Sequence, residues 1–296
     1  LGLDGMINLI IKGADFSTAP EDAQSEYAKL REPDGAVFRL ARLITVLEGE
    51  DDKAKALAEV VRTASLPDVP VLGLTGTGGA GKSSLTDELV ARFARDYPER
   101  RIAVISVDPT RRRTGGALLG DRIRMNSLRH SNVFMRSMAT RRSGAELSKA
   151  TDDAVRLCKL AGYELIVVET SGIGQADAEI ERVADKTLYV MTAEYGAQSQ
   201  LEKIEMLDVA DFVAINKFEH KGSKDALRDV RKQVRRNRQI GYDVADELLP
   251  VFGTVASRFH DAGVNALYAG LCGALNELPG PDWKSSIPQD QCAIAS

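Results

Sequence analysis

The sequence predicts an α/β fold in which helices flank a mostly parallel central sheet and a helical extension precedes it. Two observations carry this prediction. From residue 69 onward, short continuous apolar runs alternate with longer stretches of helical apolar spacing, a pattern that indicates parallel strands buried on both faces. The first apolar run also leads directly into a glycine-rich loop and an amphipathic stretch, and such loops lie at the carboxyl ends of the strands.

Seven strand candidates and six helical stretches make up the alternating region. The strand candidates are 69–75, 101–107, 133–138, 163–169, 185–192, 211–216 and 250–255. The helical stretches are 83–96, 145–161, 176–184, 197–208, 222–237 and 261–277. Ahead of this region, residues 21–31, 36–48 and 52–64 also have helical spacing.

Four regions are expected along the chain. Residues 1–14 look like the tail of a preceding domain, and residues 15–66 hold a polar linker and the N-terminal helices. Residues 67–278 form the α/β domain. Residues 279–296 are rich in proline, serine and glutamine, so we expect a linker or a disordered end there.

Composition excludes several classes of protein. With 296 residues, 44% apolar residues and a net charge of −4, the chain is an ordinary globular protein without a general attraction to nucleic acid or anionic membranes. No apolar run is long enough to span a bilayer. The cysteines at 158, 272 and 292 have neither metal-site nor disulfide spacing, so we expect a cytoplasmic protein.

The glycine-rich stretch GLTGTGGAGKSS (73–84) matches G-x-x-x-x-G-K-[ST], the phosphate-binding P-loop. Lys82 would reach the outer phosphates, and the Ser83 hydroxyl would ligate Mg²⁺. The helix that follows would direct the positive end of its dipole at the anion. The backbone groups expected to surround the phosphates belong to Gly78, Gly79, Ala80, Gly81, Lys82, Ser83 and Ser84. The sequence therefore predicts a P-loop NTPase.

Two acidic residues lie at the ends of apolar strand candidates, Asp108 in RIAVISVDP and Glu169 in YELIVVETSG. A carboxylate beside a phosphate loop is suited to hold Mg²⁺ or its waters; either acid alone could instead cap a turn. The intervening loop DPTRRRTGGALLGDRIRM offers Asp121 as a further metal ligand and Arg124 as a phosphate contact. The run Arg111–Arg113 is better read as a solvated face.

The tetrapeptide NKFE (216–219) resembles N-K-x-D, in which the acid accepts hydrogen bonds from guanine. Asn216, Lys217 and Glu219 are therefore the expected guanine-binding residues, with glutamate replacing aspartate. FGTVAS (252–257), which includes Thr254, would supply a backbone N–H near the base. The expected nucleotides are GTP and GDP.

Hydrolysis needs a positioned water, and Ile173 stands where Ras-type GTPases have their water-orienting glutamine. Gln175 is close but out of register, so we expect slow intrinsic turnover that a partner raises by ordering the loops. His130, His220 and His260 are scattered, and we expect each to be a surface residue or an internally hydrogen-bonded one rather than a ligand. The basic positions 231, 232, 235, 236 and 238 indicate a solvated helix face, with a docking surface as the second interpretation.

Taken together, VDPTRRRTGGALLGD, ETSGIGQAD and NKFE behind GTGGAGKSS resemble the GTPases associated with methylmalonyl-CoA mutase, of the SIMIBI class of P-loop proteins. The resemblance covers about residues 36–278, and within the family it is strongest to the branch fused to isobutyryl-CoA mutase. It implies a GTPase chaperone that gates loading of adenosylcobalamin into an acyl-CoA mutase and protects that mutase, separate or fused. It also implies a homodimer.

Carried over to this sequence, the resemblance implies catalytic roles for Lys82, Glu169 and Gln175. It implies a metal site formed by Ser83, Asp108, Asp121, Glu169 and Thr170. TAEYGAQSQLEK (192–203) falls where the family has a further switch facing its client. The cobalamin motif D-x-H-x-x-G and a catalytic mutase region are absent from the sequence, so adenosylcobalamin is expected only through a partner domain.

Three other functions stay open. A nickel metallochaperone GTPase of the same fold would have His-rich or Cys-x-x-Cys tracts, which this sequence lacks. A P-loop kinase would need a substrate pocket with its own base, and NKFE would then have no purpose. A structural module could bind GTP without turnover.

Overall fold

The computed structural model describes residues 2–14, 16–109, 125–140, 149–170, 180–196, 204 and 206–293, and of residues 108, 109 and 140 it describes only the backbone. The chain divides into two compact units, Leu1–Ala64 and Ser65–Ser296. The finer limits expected from the sequence at residues 14, 66 and 278 stay predictions.

The first unit is helical. Its helices are α1 (Leu3–Ala14), α2 (Ala23–Ala28), α3 (Ala36–Leu47) and α4 (Asp52–Thr63). α1 buries none of its residues, although most are apolar. α2, α3 and α4 pack on one another, and the Glu26 carboxylate of α2 accepts a hydrogen bond of 2.9 Å from Arg42 of α3. Asp51 caps α4 by accepting a hydrogen bond from the Ala54 N–H at 2.8 Å.

The second unit is built on a seven-stranded sheet in which every strand pairing is parallel. The strands are β1 (Val71–Gly76), β2 (Ile102–Pro109), β3 (Val133–Thr140), β4 (Leu165–Thr170), β5 (Lys186–Met191), β6 (Phe212–Asn216) and β7 (Val251–Thr254). Their order is β3-β2-β4-β1-β5-β6-β7. All seven predicted strands are confirmed, and the predicted mostly parallel sheet is wholly parallel.

Continuous burial explains why these runs form strands of a parallel sheet. Every residue of β1, β4, β6 and β7 is buried, as expected when helices cover both faces. β1 lies at the centre, between β4 and β5. β2 extends to Pro109, beyond the expected end at residue 107, so Asp108 lies within the strand rather than after it. The carboxyl ends of β1, β4, β5 and β6 therefore meet at one edge.

Within the described residues, five α-helices accompany the sheet. They are α5 (Lys82–Asp96), α6 (Lys149–Leu160), α7 (Met206–Val209), α8 (Ser223–Asn237) and α9 (Ala262–Leu275). The predicted helix 176–184 is represented in the described residues by a 3-10 turn, Ile180–Arg182, and the predicted helix 197–208 by α7. None of the described helices is long and apolar enough to cross a membrane.

Helix α8 differs from the solvated basic face that its sequence indicates. Arg231 and Arg235 are both buried at 6% exposure. The Arg235 guanidinium donates hydrogen bonds to the Val244 carbonyl at 2.8 Å and to the Asp246 carboxylate at 2.6 Å. Arg238 donates to the Ala210 carbonyl. The Arg235 and Arg238 guanidinium groups thus hold neighbouring backbone. Lys232 and Arg236 of the same basic set are exposed, as predicted.

The C-terminal segment packs on the second unit instead of forming the disordered end that its composition suggests. Trp283 is fully buried, and its ring lies 5.4 Å from the ring of Phe93 and 4.8 Å from that of Tyr97. The Asn276 side chain both donates to and accepts from the Trp283 backbone at 2.6 Å. One buried tryptophan thus anchors a polar segment to α5.

We expect Trp283→Ala to lower the free energy of unfolding by about 3–5 kcal/mol, because it empties a packed aromatic site. Urea unfolding followed by circular dichroism measures this change. Tyr242→Ala is the control, because the Tyr242 side chain is 92% exposed and its removal should cost less than about 1 kcal/mol. Equal stability of the two variants would show that the segment does not hold the fold.

Candidate functional site

The phosphate loop turns sharply between β1 and α5, and glycine is required at both ends of the turn. Gly76 has φ +144°, and a Cβ there would lie 1.8 Å from the Val190 carbonyl oxygen. Gly81 has φ +85°, and a Cβ there would lie 2.6 Å from the Asn216 amide nitrogen. Larger residues are excluded by both backbone conformation and close approach. The loop therefore lies directly on β5 and against the end of β6.

Lys82 holds its ammonium group inside this loop. Its side chain is buried at 7% exposure, and Nζ donates hydrogen bonds to the carbonyls of Gly76 and Thr77, each at 3.0 Å. Lys82 also opens α5, so the cation and the positive end of the helix dipole lie together. The loop thus combines a point charge with backbone donors, as phosphate binding requires.

The first turn of α5 contacts the end of β4. The Ser83 hydroxyl donates a hydrogen bond of 2.6 Å to Glu169 Oε1, and Glu169 is 4% exposed. On the next residue of β4, the Thr170 hydroxyl donates to the Thr75 hydroxyl of β1 at 2.8 Å. The structure therefore brings together Ser83 and Glu169, two of the five residues expected to form a metal site, whereas the Thr170 side chain contacts Thr75.

These oxygen donors are compatible with Mg²⁺. The ion prefers carboxylate, hydroxyl and water oxygens, and it usually keeps several waters rather than a full protein cage. Among the described side chains no group of three or more His, Cys, Asp or Glu residues is placed to hold a metal. The Asp108 side chain, Asp121, Arg124 and Gln175 lie outside the described residues, so their roles stay predictions.

Asn216 joins the phosphate loop to the segment after β7. Its Nδ2 donates to the Ala80 carbonyl at 2.8 Å. Its Oδ1 accepts hydrogen bonds from the Thr254 hydroxyl at 3.2 Å and from the Ala256 N–H at 3.1 Å. Asn216 is buried, with 2% of its surface exposed. Its side-chain amide joins the phosphate loop to the segment after β7, which are the two predicted halves of a nucleotide site, and we call this amide the bracket.

The other predicted guanine-binding residues lie around this bracket. Lys217 has φ +56°, a left-handed conformation that is uncommon outside glycine, while Glu219 is exposed to solvent. The backbone N–H of Phe218 donates to the Thr254 carbonyl at 3.0 Å. Thr254 itself is fully buried. Its hydroxyl thus supports Asn216, whereas the contact of Glu219 with a base stays a prediction.

Sequence reasoning missed Asp261, which positions the predicted base-binding loop. Its carboxylate accepts hydrogen bonds from the Val255 N–H at 3.1 Å and from the Val264 N–H at 2.9 Å. It therefore caps α9 and fixes the loop after β7 with one group. The sequence signal was an aspartate directly before the first residue of an apolar helix, which is typical of an N-cap.

The cysteines and histidines take no part in this site. Burial raises the pKa of the Cys158 thiol and of the Cys272 thiol to about 12 in each case, so both are protonated at neutral pH and are poor nucleophiles. His130, His220 and His260 are exposed, as predicted. Phosphate and oxygen chemistry, rather than thiol or imidazole chemistry, is what the described side chains can support.

Comparison with known proteins agrees with this geometry. The family model described as methylmalonyl-CoA mutase-associated GTPase MeaB matches residues 40–271. The fused isobutyryl-CoA mutase of Geobacillus kaustophilus is 52% identical over 294 residues, 97% of this chain and 27% of that protein. The fused isobutyryl-CoA mutase of Cupriavidus metallidurans is 54% identical over 279 residues, 93% of this chain and 25% of that protein. The chain thus spans about a quarter of the length of these relatives.

Solved structures agree on the fold. A structure titled LAO/AO transport system kinase superposes with a TM-score of 0.61 at 24% identity, over 86% of this chain and 76% of that one. At this identity the likeness establishes the P-loop NTPase architecture only. The family match covers most of the chain, including the phosphate loop, Glu169 and NKFE. The chain therefore belongs to the methylmalonyl-CoA mutase-associated GTPases.

Proposed function

We propose that this GTPase binds Mg²⁺–GTP and uses its hydrolysis to gate the loading of adenosylcobalamin into an acyl-CoA mutase, and to protect that mutase. The observation that carries the nucleotide half of the proposal is the 2.6 Å hydrogen bond between Ser83 and Glu169. It joins the phosphate loop to a buried carboxylate at the end of a neighbouring strand, which is where P-loop enzymes hold their metal.

Each side of the site has a distinct task in this proposal. Lys82 and the amides of residues 78–84 bind the phosphates. Ser83 and Glu169 hold the metal, with Thr170, Asp108 and Asp121 around it and Arg124 on the nucleotide. The bound Mg²⁺ would neutralise charge on the phosphate oxygens.

Guanine selection rests on the loops after β6 and β7. Glu219 would accept hydrogen bonds from the base, because a carboxylate offers two acceptor oxygens. Asn216, held by Ala80, Thr254 and Ala256, would keep the base and phosphate halves at a constant separation. Lys217 would lie beside the base, since its left-handed backbone turns the chain there.

Slow turnover by the isolated chain is part of the proposal. Gln175 is the nearest candidate for orienting the attacking water, and it lies two residues beyond the position occupied in Ras-type GTPases. A partner that orders this segment would then raise the rate. The segment 192–203 is the proposed contact with such a partner.

The proposed partner is a cobalamin-dependent acyl-CoA mutase. Its support is that the relatives named above are fused isobutyryl-CoA mutases about four times longer than this chain. We propose that residues 1–14 are the tail of a preceding cobalamin-binding domain, since α1 exposes Leu3, Ile10 and Ile11, and that 279–296 lead toward a mutase domain. We also propose that the protein forms a homodimer and that it lies in the cytoplasm.

We expect phosphate release from GTP by the chain to be slow, and Glu169→Gln to lower it further by at least about tenfold, because the neutral amide holds Mg²⁺ poorly. A single-turnover phosphate assay measures the rate. Addition of a cobalamin-dependent acyl-CoA mutase should raise the wild-type rate.

The control for this experiment is Glu164→Gln. Glu164 lies just before β4, at the end of the strand opposite to Glu169, and its carboxylate is 4.0 Å from the Arg100 guanidinium. The rate of phosphate release should therefore be the same in this variant as in the wild type. Binding of GTP without any phosphate release, with or without mutase, would favour a nucleotide-gated structural module. Equal rates of phosphate release for Glu169→Gln and the wild type would show that Glu169 does not hold the metal.

We expect Asn216→Ala to weaken GDP binding by roughly 5- to 150-fold, which corresponds to about 1–3 kcal/mol of binding free energy. The reason is that the substitution removes the three hydrogen bonds that join the phosphate loop to the segment after β7. Titration calorimetry with Mg²⁺ present measures the affinity. Asn276→Ala is the matched control, since its amide bonds only the Trp283 backbone among the described contacts. Unchanged GDP affinity in Asn216→Ala would contradict the bracket.

A further inference from the structure

The ring of Phe218 lies on a part of strand β7 that has no side chain. Gly253 precedes the last residue of β7, and a Cβ built on it would lie 2.5 Å from Phe218 Cδ2 and 2.7 Å from Cγ and Cε2. Real side chains do not approach one another so closely, so the ring fills the space that a side chain at residue 253 would need. Glycine at this position is therefore what lets Phe218 reach the strand.

The backbone of Phe218 is attached to the same strand. Its N–H donates a hydrogen bond of 3.0 Å to the carbonyl of Thr254, the residue after Gly253. The register of β6 on β7 pairs Asn216 with Thr254, so this bond continues the contact between the two segments past the end of β6. The ring and the N–H thus hold residue 218 to β7 at two neighbouring points.

Glu219 follows Phe218 in a tight turn. The His220 N–H donates to the Lys217 carbonyl at 2.9 Å, which is the bond that closes a β-turn. Phe218 and Glu219 are therefore the two central residues of this turn. The Phe218 ring faces β7, whereas Glu219 is exposed to solvent. The predicted guanine-binding carboxylate thus belongs to the residue next to the anchored one.

Strand β7 is a firm support for this turn because helix α9 is attached at the same place. Gly263 of α9 approaches so closely that a Cβ there would lie 1.9 Å from the Gly253 carbonyl oxygen. Asp261 caps α9 and also holds the segment after β7. The turn that carries Glu219 therefore rests on the part of the sheet that also supports the bracket.

A glutamate that must bind one defined group depends on a fixed backbone more than an aspartate does. Its side chain has one more rotatable bond, so more rotamer freedom is lost when the carboxylate is held in place. Guanine presents an N1–H and a 2-amino group side by side, and a carboxylate can accept from both with its two oxygens. Movement of the backbone at residue 219 would add to the freedom of the side chain and weaken this paired contact.

We propose that Phe218 is a positioning residue for guanine recognition: by placing its ring on Gly253, it fixes the turn from which the Glu219 carboxylate reaches the N1–H and 2-amino groups of the base. Phe218 acts through the backbone of the turn and contacts neither the base nor the phosphates. This inference rests on the proposed function, because it requires that Glu219 bind guanine.

Phe212 provides a matched control. Its ring also packs between β6 and β7, with its centre 6.2 Å from that of the Phe252 ring, and the residue is 8% exposed. Phe212 is the first residue of β6, whereas the predicted base contacts lie at the last residue of that strand and beyond it. Phe212→Leu should therefore lower stability by leaving a cavity, without changing which base is preferred.

The test compares the affinities of GDP and inosine diphosphate, whose base lacks the 2-amino group of guanine, by titration calorimetry with Mg²⁺ in the 296-residue chain. We expect the wild type to bind GDP at least about tenfold more tightly, because the inosine nucleotide leaves a carboxylate oxygen without its donor. For Phe218→Ala and Gly253→Ala we expect this ratio to fall below about threefold, since the paired contact is weakened. Phe218→Leu should be intermediate, and Phe212→Leu should keep the wild-type ratio. Thermal unfolding of each variant records the accompanying loss of stability.

The Glu219→Ala variant separates failure of the inference from failure of the proposed function. If Glu219→Ala has the wild-type ratio of affinities, Glu219 does not bind the base, and the proposed role and the inference fail together. If Glu219→Ala loses the preference for GDP but Phe218→Ala and Gly253→Ala retain it, the inference alone fails and the ring only fills space.

Two further outcomes concern stability. If Phe218→Ala does not fold, Phe218→Leu decides: a reduced ratio of affinities supports the inference, and the wild-type ratio overturns it. If Phe212→Leu reduces the ratio as much as Phe218→Leu does, general loosening of β6 and β7 is the cause, and the inference is overturned.

Discussion

The close contact between the phosphate loop and strand β5 is the constraint on which the site depends. Because Gly76 has no side chain, its backbone reaches the Val190 carbonyl, and the Thr77 N–H donates to that same carbonyl at 3.0 Å. The loop is thereby held over the centre of the sheet, between β4 and β5. From this position Ser83 of α5 contacts Glu169 on one side, and the loop residue Ala80 contacts Asn216 on the other.

Those contacts give the loop three points of support from three different strands. β5 supports its entry, β4 supports the Ser83 turn, and β6 supports Ala80 through Asn216. A parallel sheet makes this possible because its strands end at a common edge. The predicted phosphate, metal and base contacts are thus consequences of strand order. The family membership of the chain agrees with this arrangement, since the family model matches residues 40–271, which include the phosphate loop, Glu169 and Asn216.

The strands and the loop could be predicted from the sequence because their signals are local. Each strand is a continuous apolar run, and G-x-x-x-x-G-K-[ST] specifies a backbone conformation within a few residues. The contacts that organise the site join distant positions, such as Asn216 with Ala80, and no local pattern indicates them. The same limit explains the C-terminal segment: its polar composition suggested disorder, whereas one tryptophan buried among aromatic rings from α5 decides the outcome. Arg231 and Arg235 were likewise misjudged because burial depends on the loop opposite them.

Selective binding of guanine nucleotides in the presence of magnesium tests the central claim most directly. Titration calorimetry of the chain with GDP and with ADP, each with and without Mg²⁺, separates the contributions of base and metal. The account predicts that GDP binds with measurable heat, that Mg²⁺ strengthens its binding, and that ADP produces no heat at the same concentrations. Equal binding of ADP, or no heat from GDP with the metal supplied, would contradict it.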